Sequence, residues 1–341
     1  MHRIRYGMGD VAMERQGETM PHGHRTGRHG KSGGSRRRFA PRIRRDIARK
    51  DGVAASFAII GWVCYIASAL LLSWVVGALI HNDMIARTVA DNVATAPSTW
   101  PAGDRKAAYD RAREYNGRLE AQFGGRIPAD AASETGPARE TLDSVYMTTL
   151  SVDGKGAMAR LNIPQISVNI PIYHTTLDSS LDDGAGHIYG TALPVGDPHT
   201  YSALAAHSGG VQGMLFTRLN ELHRGAVFYI DVLGGEQGYR VTDIRTIKPE
   251  QMERTLQDLR RQYGGGEATV TLVTCTPIGV NTDRLLVTGV RENIPESMPP
   301  ASTQKDTRLI AACIGIALFV LLLALALLVT WLRRRRTTKH S

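Results

Sequence analysis

One stretch of the chain, residues 269–290, carries two side chains that could do chemistry together. An alternating apolar run ends at Cys275, a loop rich in turn-forming residues follows, and a second apolar run begins just after Arg284. Both runs are rich in Val, Leu and Thr, which favour β-strands. Two neighbouring strands joined by this loop would let the thiol and the guanidinium face one pocket.

A nucleophilic Cys275 needs a base, because only the thiolate attacks. The candidate histidines between the two long apolar segments described below are His174, His187, His199, His207 and His223. His207 follows the apolar run SALAA and precedes Ser-Gly-Gly, so we expect it at a strand end beside a turn. We rank it first, while His174 and His187, which also lie at strand or turn edges, remain alternatives.

Arg284 has two interpretations. It could be a surface arginine that pairs with Asp283. Beside Cys275, a fixed cation could instead stabilise the oxyanion of a tetrahedral thioacyl intermediate. We identify no acidic residue that would orient the histidine, so this combination differs from the Cys-His-Asn site of papain-like enzymes.

Two segments, residues 53–80 and 309–332, are apolar and contain no charged residue. Each exceeds the roughly 20 residues that a membrane-spanning helix needs. The first is too long and too far from the start for a cleaved signal peptide. Basic residues crowd the two tails of a chain whose net charge is +9. The positive-inside rule therefore predicts cytoplasmic tails and an extracellular part between the spans, rather than a nucleic-acid partner.

The three cysteines fit this division of the chain. Cys64 and Cys313 lie within the apolar segments, so Cys275 is the one cysteine in the predicted extracellular part. A disulfide framework is therefore excluded there. A thiol outside a disulfide is a liability in an oxidising compartment unless it is buried or used.

The pattern predicts seven parts along the chain. They are a basic, disordered cytoplasmic tail (1–52), a transmembrane helix (53–80), an extracellular helical stalk with a possible lid loop at 124–143 (81–145), a catalytic β-barrel (146–292), a linker (293–308), a second transmembrane helix (309–332) and a basic cytoplasmic tail (333–341).

Strands are predicted at 157–163, 168–173, 201–207, 227–232, 237–247, 269–274 and 285–290, with short helices at 216–222 and 250–263. Short strands with frequent turns favour a mostly β sandwich or small barrel. The Gly-rich stretches lack nucleotide-binding spacing.

These residues resemble a known family. TLVTC at 271–275 resembles the TLxTC signature of sortases, the cysteine transpeptidases of Gram-positive cell surfaces, and NTDRLLV at 281–287 resembles the stretch that carries the family arginine. LNIP at 161–164 and the run LDDGAGHIYGTALPVG at 181–196 are similar to class C, the pilin-polymerising branch. The resemblance spans about residues 146–291. The sequence differs from the class C pattern in three places. Ser208 stands where Arg is common, Asp283 stands where His is common, and 124–143 contains no Asp-Pro-aromatic lid anchor.

The resemblance implies a fold and a site. It implies an eight-stranded sortase-type β-barrel, with Cys275 as nucleophile, His207 as general acid/base and Arg284 as oxyanion or substrate clamp. It implies no metal and no organic cofactor. The family cleaves an LPXTG-like sorting signal between Thr and Gly, holds the acyl group as a thioester, and passes it to an amine. That amine is a pilin lysine in class C or a cell-wall peptide amine in housekeeping enzymes.

We therefore predict a membrane-bound transpeptidase that assembles pili, with surface proteins and membrane lipid as partners. A housekeeping sortase is the alternative within the family. An L,D-transpeptidase would carry its arginine two positions after the cysteine, whereas nine positions separate Cys275 from Arg284. A membrane-tethered adhesin or scaffold is the non-enzyme alternative, and it predicts no reactive thiol.

Overall fold

The computed structural model describes residues 40–124, 126–127, 139–152, 154, 156–209, 214–294 and 307–338. Its strands are β1 (Ala157–Ile163), β2 (Val168–Tyr173), β3 (Ala185–His187), β4 (Tyr201–Ala205), β5 (Val227–Val232), β6 (Gly235–Ile247), β7 (Thr269–Thr276) and β8 (Asp283–Arg291). They close into one barrel in the order β1-β2-β3-β4-β7-β8-β6-β5. The predicted eight-stranded β-barrel is confirmed.

Among the described helices, three precede the barrel strands in sequence, two lie between strands and one follows them. They are α1 (Ala40–Thr95), α2 (Ala102–Phe123), α3 (Ser144–Thr148), α4 (Asp178–Leu181), α5 (Met252–Tyr263) and α6 (Thr307–Thr338). Short 3-10 helices lie at Ala96–Thr99, Arg139–Leu142, Pro164–Ile166, Leu219–Glu221 and Pro249–Gln251. Two helical stretches, Ala55–Thr99 and Ile310–Arg333, are long and apolar enough to cross a membrane, judged by length and composition.

Most neighbouring strands pair antiparallel, and the site depends on one of the two parallel pairs. β2 pairs with β3 in parallel, and β4 pairs with β7 in parallel, with Ala205 opposite Val273. Parallel neighbours end at the same edge of the sheet. The residues that follow β4 therefore lie beside the end of β7.

Apolar side chains fill the barrel because successive residues of each strand point to opposite faces. Phe228 of β5 stacks on Tyr239 of β6 with ring centroids 5.3 Å apart, and both side chains are fully buried. Gly289 of β8 lies against this pair, and an added Cβ there would collide with the Phe228 ring. A larger residue at 289 would displace one of the largest side chains of the core.

Several element boundaries differ from the sequence-based prediction. The short strand β3 was not predicted, β4 ends two residues earlier than expected, and the helix predicted at 216–222 is a single 3-10 turn at Leu219–Glu221. α1 begins at Ala40, so the helix includes the last part of the predicted disordered tail. The rest of that tail, most of the predicted lid loop (125 and 128–138) and residues 295–306 of the predicted linker lie outside the described residues.

Candidate active site

Cys275 and Arg284 are direct cross-strand partners in the antiparallel pair of β7 and β8. The two apolar runs therefore pair as the sequence predicts. Directly opposite residues carry their Cβ atoms on the same face, about 4.5–5.5 Å apart. Both side chains are half-buried, and Cys275 is not part of a disulfide. The thiol and the guanidinium thus share one edge of the barrel.

His207 reaches the same edge from the other side of β7. Beyond the last ladder pair of β4 and β7, the Ala206 N–H still donates to the Val273 carbonyl, at 3.1 Å. Continuing this register by two residues places His207 opposite Cys275. The imidazole is 37% exposed, so a substrate can reach it. Imidazole, thiol and guanidinium therefore form a row across three adjacent chain segments.

Side-chain hydrogen bonds hold the segment that carries His207. The Thr274 hydroxyl donates to the Ala206 carbonyl at 2.7 Å, and the Ser208 hydroxyl donates to the Cys275 carbonyl at 2.6 Å. The His207 carbonyl accepts from the Phe216 N–H at 3.1 Å. The position of this histidine is therefore set by bonds on both sides of it.

The Arg284 guanidinium is anchored to the backbone of its own loop. Its Nη1 donates to the Asn281 carbonyl at 3.1 Å and to the Asp283 carbonyl at 3.2 Å. The Asp283 carboxylate forms an ion pair with Lys248 at 2.7 Å, and the Lys248 hydrogen bond is the main reason that the pKa of this carboxyl lies below its usual value. The negative charge of Asp283, next to Arg284 in the chain, is therefore balanced by Lys248, which is not part of the row.

Sequence reasoning missed one acidic residue beside the histidine. Asp182, in the turn after α4, places Oδ1 3.8 Å from His207 Nε2. Both side chains are partly exposed, so this is an ion pair when the imidazole is protonated. Asp182 is 25 positions before His207 in the chain, and the only available signal was its place in the LDDGAGH run.

The two alternative histidines, His174 and His187, are fully buried. His174 lies with its ring nitrogens 2.7 and 2.6 Å from the carbonyls of Gly156 and Thr149. His187 Nδ1 lies 2.7 Å from the Tyr146 hydroxyl, and burial lowers its pKa to about 4. Both rings are enclosed where α3 packs on the barrel, so neither can meet a substrate there.

An exposed apolar rim borders the row. Ile278 and Val280 in the loop between β7 and β8 are 51% and 64% exposed. An added Cβ on Gly209 would lie 3.0 Å from Ile278 Cγ2, so Ile278 covers the turn that follows His207. The site combines a thiol, an imidazole and a guanidinium with an apolar margin, and groups of these types can carry out attack on a peptide carbonyl.

The barrel region is similar to known proteins. Residues 161–292 match the sortase domain family. The chain is 27% identical over 147 residues to Sortase A of Bacillus anthracis, a match that covers 43% of this chain and 65% of that protein. Among solved structures, sortase C-1 from Actinomyces oris is 38% identical, with 56% of this chain and 99% of that chain covered and a TM-score of 0.48. Sortase C1 from Streptococcus agalactiae is 32% identical, with 62% and 100% covered and a TM-score of 0.51. Since identity above 30% extends over the whole of a solved sortase, the chain belongs to the sortase family.

Proposed function

We propose that this protein is a membrane-anchored cysteine transpeptidase that cleaves an LPXTG-like sorting signal through a thioacyl intermediate on Cys275. The observation that carries the proposal is the row at the barrel edge. Arg284 lies directly across from Cys275 on β8, and the β4–β7 ladder ends at the pair Ala205–Val273, two residues before His207 and Cys275. Nucleophile, acid/base and oxyanion stabiliser are the three groups that acyl transfer needs.

The proposed reaction has two halves. The Cys275 thiolate attacks the Thr carbonyl of the signal, and Arg284 stabilises the negative oxygen of the tetrahedral intermediate. His207 then gives a proton to the departing Gly amine, so the C–N bond breaks and a thioester remains. In the second half an acceptor amine attacks the thioester while His207 takes its proton. The new C–N bond forms, and Cys275 leaves as the thiolate.

For the acceptor we infer a pilin lysine amine, which makes the protein a class C, pilus-assembling enzyme of the hydrolase/acyltransferase type. Supporting this are the class C-like runs at 161–164 and 181–196 and the identity to two solved sortases named C. A housekeeping enzyme with a cell-wall peptide amine as acceptor is the second candidate, because Sortase A proteins are also among the relatives.

The proposed location is the cell membrane, with two spans, an extracellular barrel and cytoplasmic termini. It is supported by two helical stretches long and apolar enough to span and by the basic residues outside them. Topology predicts that a protease added outside intact cells reaches the barrel and not the tails. Tags at the two ends, detected before and after such treatment, would test this.

The activity is tested with the full chain in detergent micelles and a labelled LPETG peptide. We expect mass spectrometry to find an acyl adduct on Cys275, and transfer to an added lysine peptide. Cys275→Ala should abolish adduct and transfer, and His207→Ala should lower transfer at least about 10²-fold, as for a general acid/base. The Cys64→Ala/Cys313→Ala double variant is the matched control and should keep full activity.

Two results would contradict the proposal. One is an adduct or transfer that persists in Cys275→Ala. The other is a wild-type chain in which Cys275 forms no adduct with any LPXTG-like peptide. That result is expected if the protein is an adhesin or scaffold. Comparing a lysine peptide with a cell-wall peptide amine as acceptor separates the pilus-assembling enzyme from the housekeeping one.

A further inference from the structure

The segment that carries His207 lies where the strand ladder ends. The β4–β7 register runs from the pair Tyr201–Thr269 to the pair Ala205–Val273, and the Ala206 N–H adds one more bond. The chain then turns at Gly209, whose φ is +81°. His207 is therefore positioned by the contacts of its immediate neighbours rather than by a ladder that continues past it.

Two buried hydroxyl groups cross between the segments on either side of His207. Before it, Thr274 of β7 donates to the Ala206 carbonyl at 2.7 Å. After it, Ser208 donates to the Cys275 carbonyl at 2.6 Å. Thr274 is 4% exposed and Ser208 is 9% exposed, so water competes little for either bond. The two bonds run in opposite directions, and sliding the segment along β7 would break both.

We propose that Ser208 is a positioning residue that keeps the His207 imidazole beside the Cys275 thiol. Its hydroxyl joins the residue after the proposed base to the backbone of the proposed nucleophile itself. The inference rests on the proposed function, because it takes His207 as the acid/base and Cys275 as the nucleophile. Ser208 itself is assigned no contact with substrate.

Loss of the hydroxyl should act on the rate more than on substrate binding. Without the bond, the Phe216 and Gly209 N–H bonds remain, but neither joins the segment to β7. Thr274 is then the remaining side-chain tie of this segment to β7 among the described residues, and the imidazole samples positions away from the thiol. A displacement of about 1 Å in a catalytic group can cost up to about 10²-fold in rate. The proposal gives Ser208 no contact with substrate, so KM should change little.

The test compares Ser208→Ala, Ser208→Thr and Ser202→Ala in the full chain in detergent with the LPETG peptide. Ser202, on β4, is the matched control, because it is likewise a buried serine whose hydroxyl donates to a backbone carbonyl, that of Ala192 at 2.5 Å. We expect Ser208→Ala to lose about 10-fold in kcat with KM within about twofold, and Ser208→Thr to recover to within about threefold. Ser202→Ala should keep its kcat while losing a hydrogen bond of the same kind.

A second measurement covers the case in which the peptide is a poor substrate. Alkylation of Cys275 by iodoacetamide, located by mass spectrometry, should be about fivefold slower in Ser208→Ala and unchanged in Ser202→Ala, since a displaced imidazole supports less thiolate. Wild-type kcat and alkylation rate in Ser208→Ala, or equal losses in both alanine variants, would overturn the inference.

Cys275→Ala, assayed in parallel, separates the two proposals. If it stays active the proposed function fails, whereas an inactive Cys275→Ala beside a fully active Ser208→Ala removes the positioning role alone.

Discussion

At the scale of single residues, Arg284 shows how the barrel edge prepares a cation for the proposed reaction. Its Nη1 donates to the backbone carbonyls of Asn281 and Asp283, which holds this end of the guanidinium in place. Asp283, the adjacent acid, is paired with Lys248. A planar donor group held in advance of the reaction stabilises a developing oxyanion without the cost of reorganising it.

Replacing Arg284 by Lys should therefore be a severe change although the charge is kept. A lysine is a flexible point charge. Its ammonium cannot donate to both backbone carbonyls and to an oxyanion in the planar arrangement that a guanidinium provides. We expect kcat/KM for the LPETG peptide to fall about 10²–10³-fold, the range for loss of an oxyanion donor. Arg291→Lys, at the other end of β8, is the control and should stay near wild type. A lysine at 284 that keeps activity within about threefold would exclude the clamp role.

At the scale of elements, the sequence predicts well where a strand has its own apolar alternation. The bounds of β1, β2 and β5 match the predicted ranges, because each run is rich in Val, Ile or Leu and ends at turn residues. β3 has no such signal, since its residues Ala185–His187 are small or polar. Gly186 pairs there because its missing side chain lets the Thr175 carbonyl approach. Such a strand depends on tertiary contacts that no local pattern reports.

The same limit applies to the candidate site. The thiol and the guanidinium were predictable as neighbours because one loop joins their strands. Choosing His207 over His174 and His187 from the residues alone was not settled, because burial decides it. Asp182 comes from a turn after α4, and its distance to His207 depends on the closure of the whole barrel. Contacts between distant segments were therefore the part that the sequence could not supply.

The burial of His187 at the end of β3 predicts a pH dependence of stability. Burial lowers its pKa to about 4, with the Ala192 carbonyl opposing the shift. An unfolded histidine titrates near 6.5, so between about pH 6.5 and 4 the unfolded state binds the proton that the folded state refuses. Stability should then fall as the pH falls through this window, by about 3 kcal/mol in all.

Urea unfolding of the full chain in detergent at several pH values would measure this loss. His187→Gln should unfold more easily at pH 7 but show a flatter dependence below pH 6.5, because the titrating group is gone. His223→Gln replaces an exposed histidine and should keep the wild-type slope. Parallel curves for His187→Gln and the wild type would show that this ring does not carry the effect.

At the scale of the whole molecule, α1 links the proposed membrane anchor to the barrel without a break. The helix continues through residues 81–95, where the sequence suggested a separate stalk. Arg87 donates to the Ser167 carbonyl at 2.5 Å, and Asp91 lies 3.2 Å from Arg160 of β1 and accepts from Asn169 of β2 at 3.1 Å. The last turns of α1 are thus docked on β1 and β2.

Asp91→Ala should loosen this docking while the site remains intact. Arg160 is only 16% exposed, and among the described residues Asp231 would remain as its carboxylate partner, so we expect a loss of about 1–2 kcal/mol in the free energy of unfolding. Amide exchange at 83–95 should also become faster. Turnover of the LPETG peptide should stay within about twofold, because Cys275 and Arg284 lie on β7 and β8 and His207 follows β4, whereas Asp91 contacts β1 and β2. Asp110→Ala on α2 removes an exposed helix aspartate that pairs with Lys106 and should change neither stability nor exchange. Unaltered exchange in Asp91→Ala would mean that apolar contacts such as those of the buried Ala90 and Val93 hold the helix to the barrel without help from the ion pair.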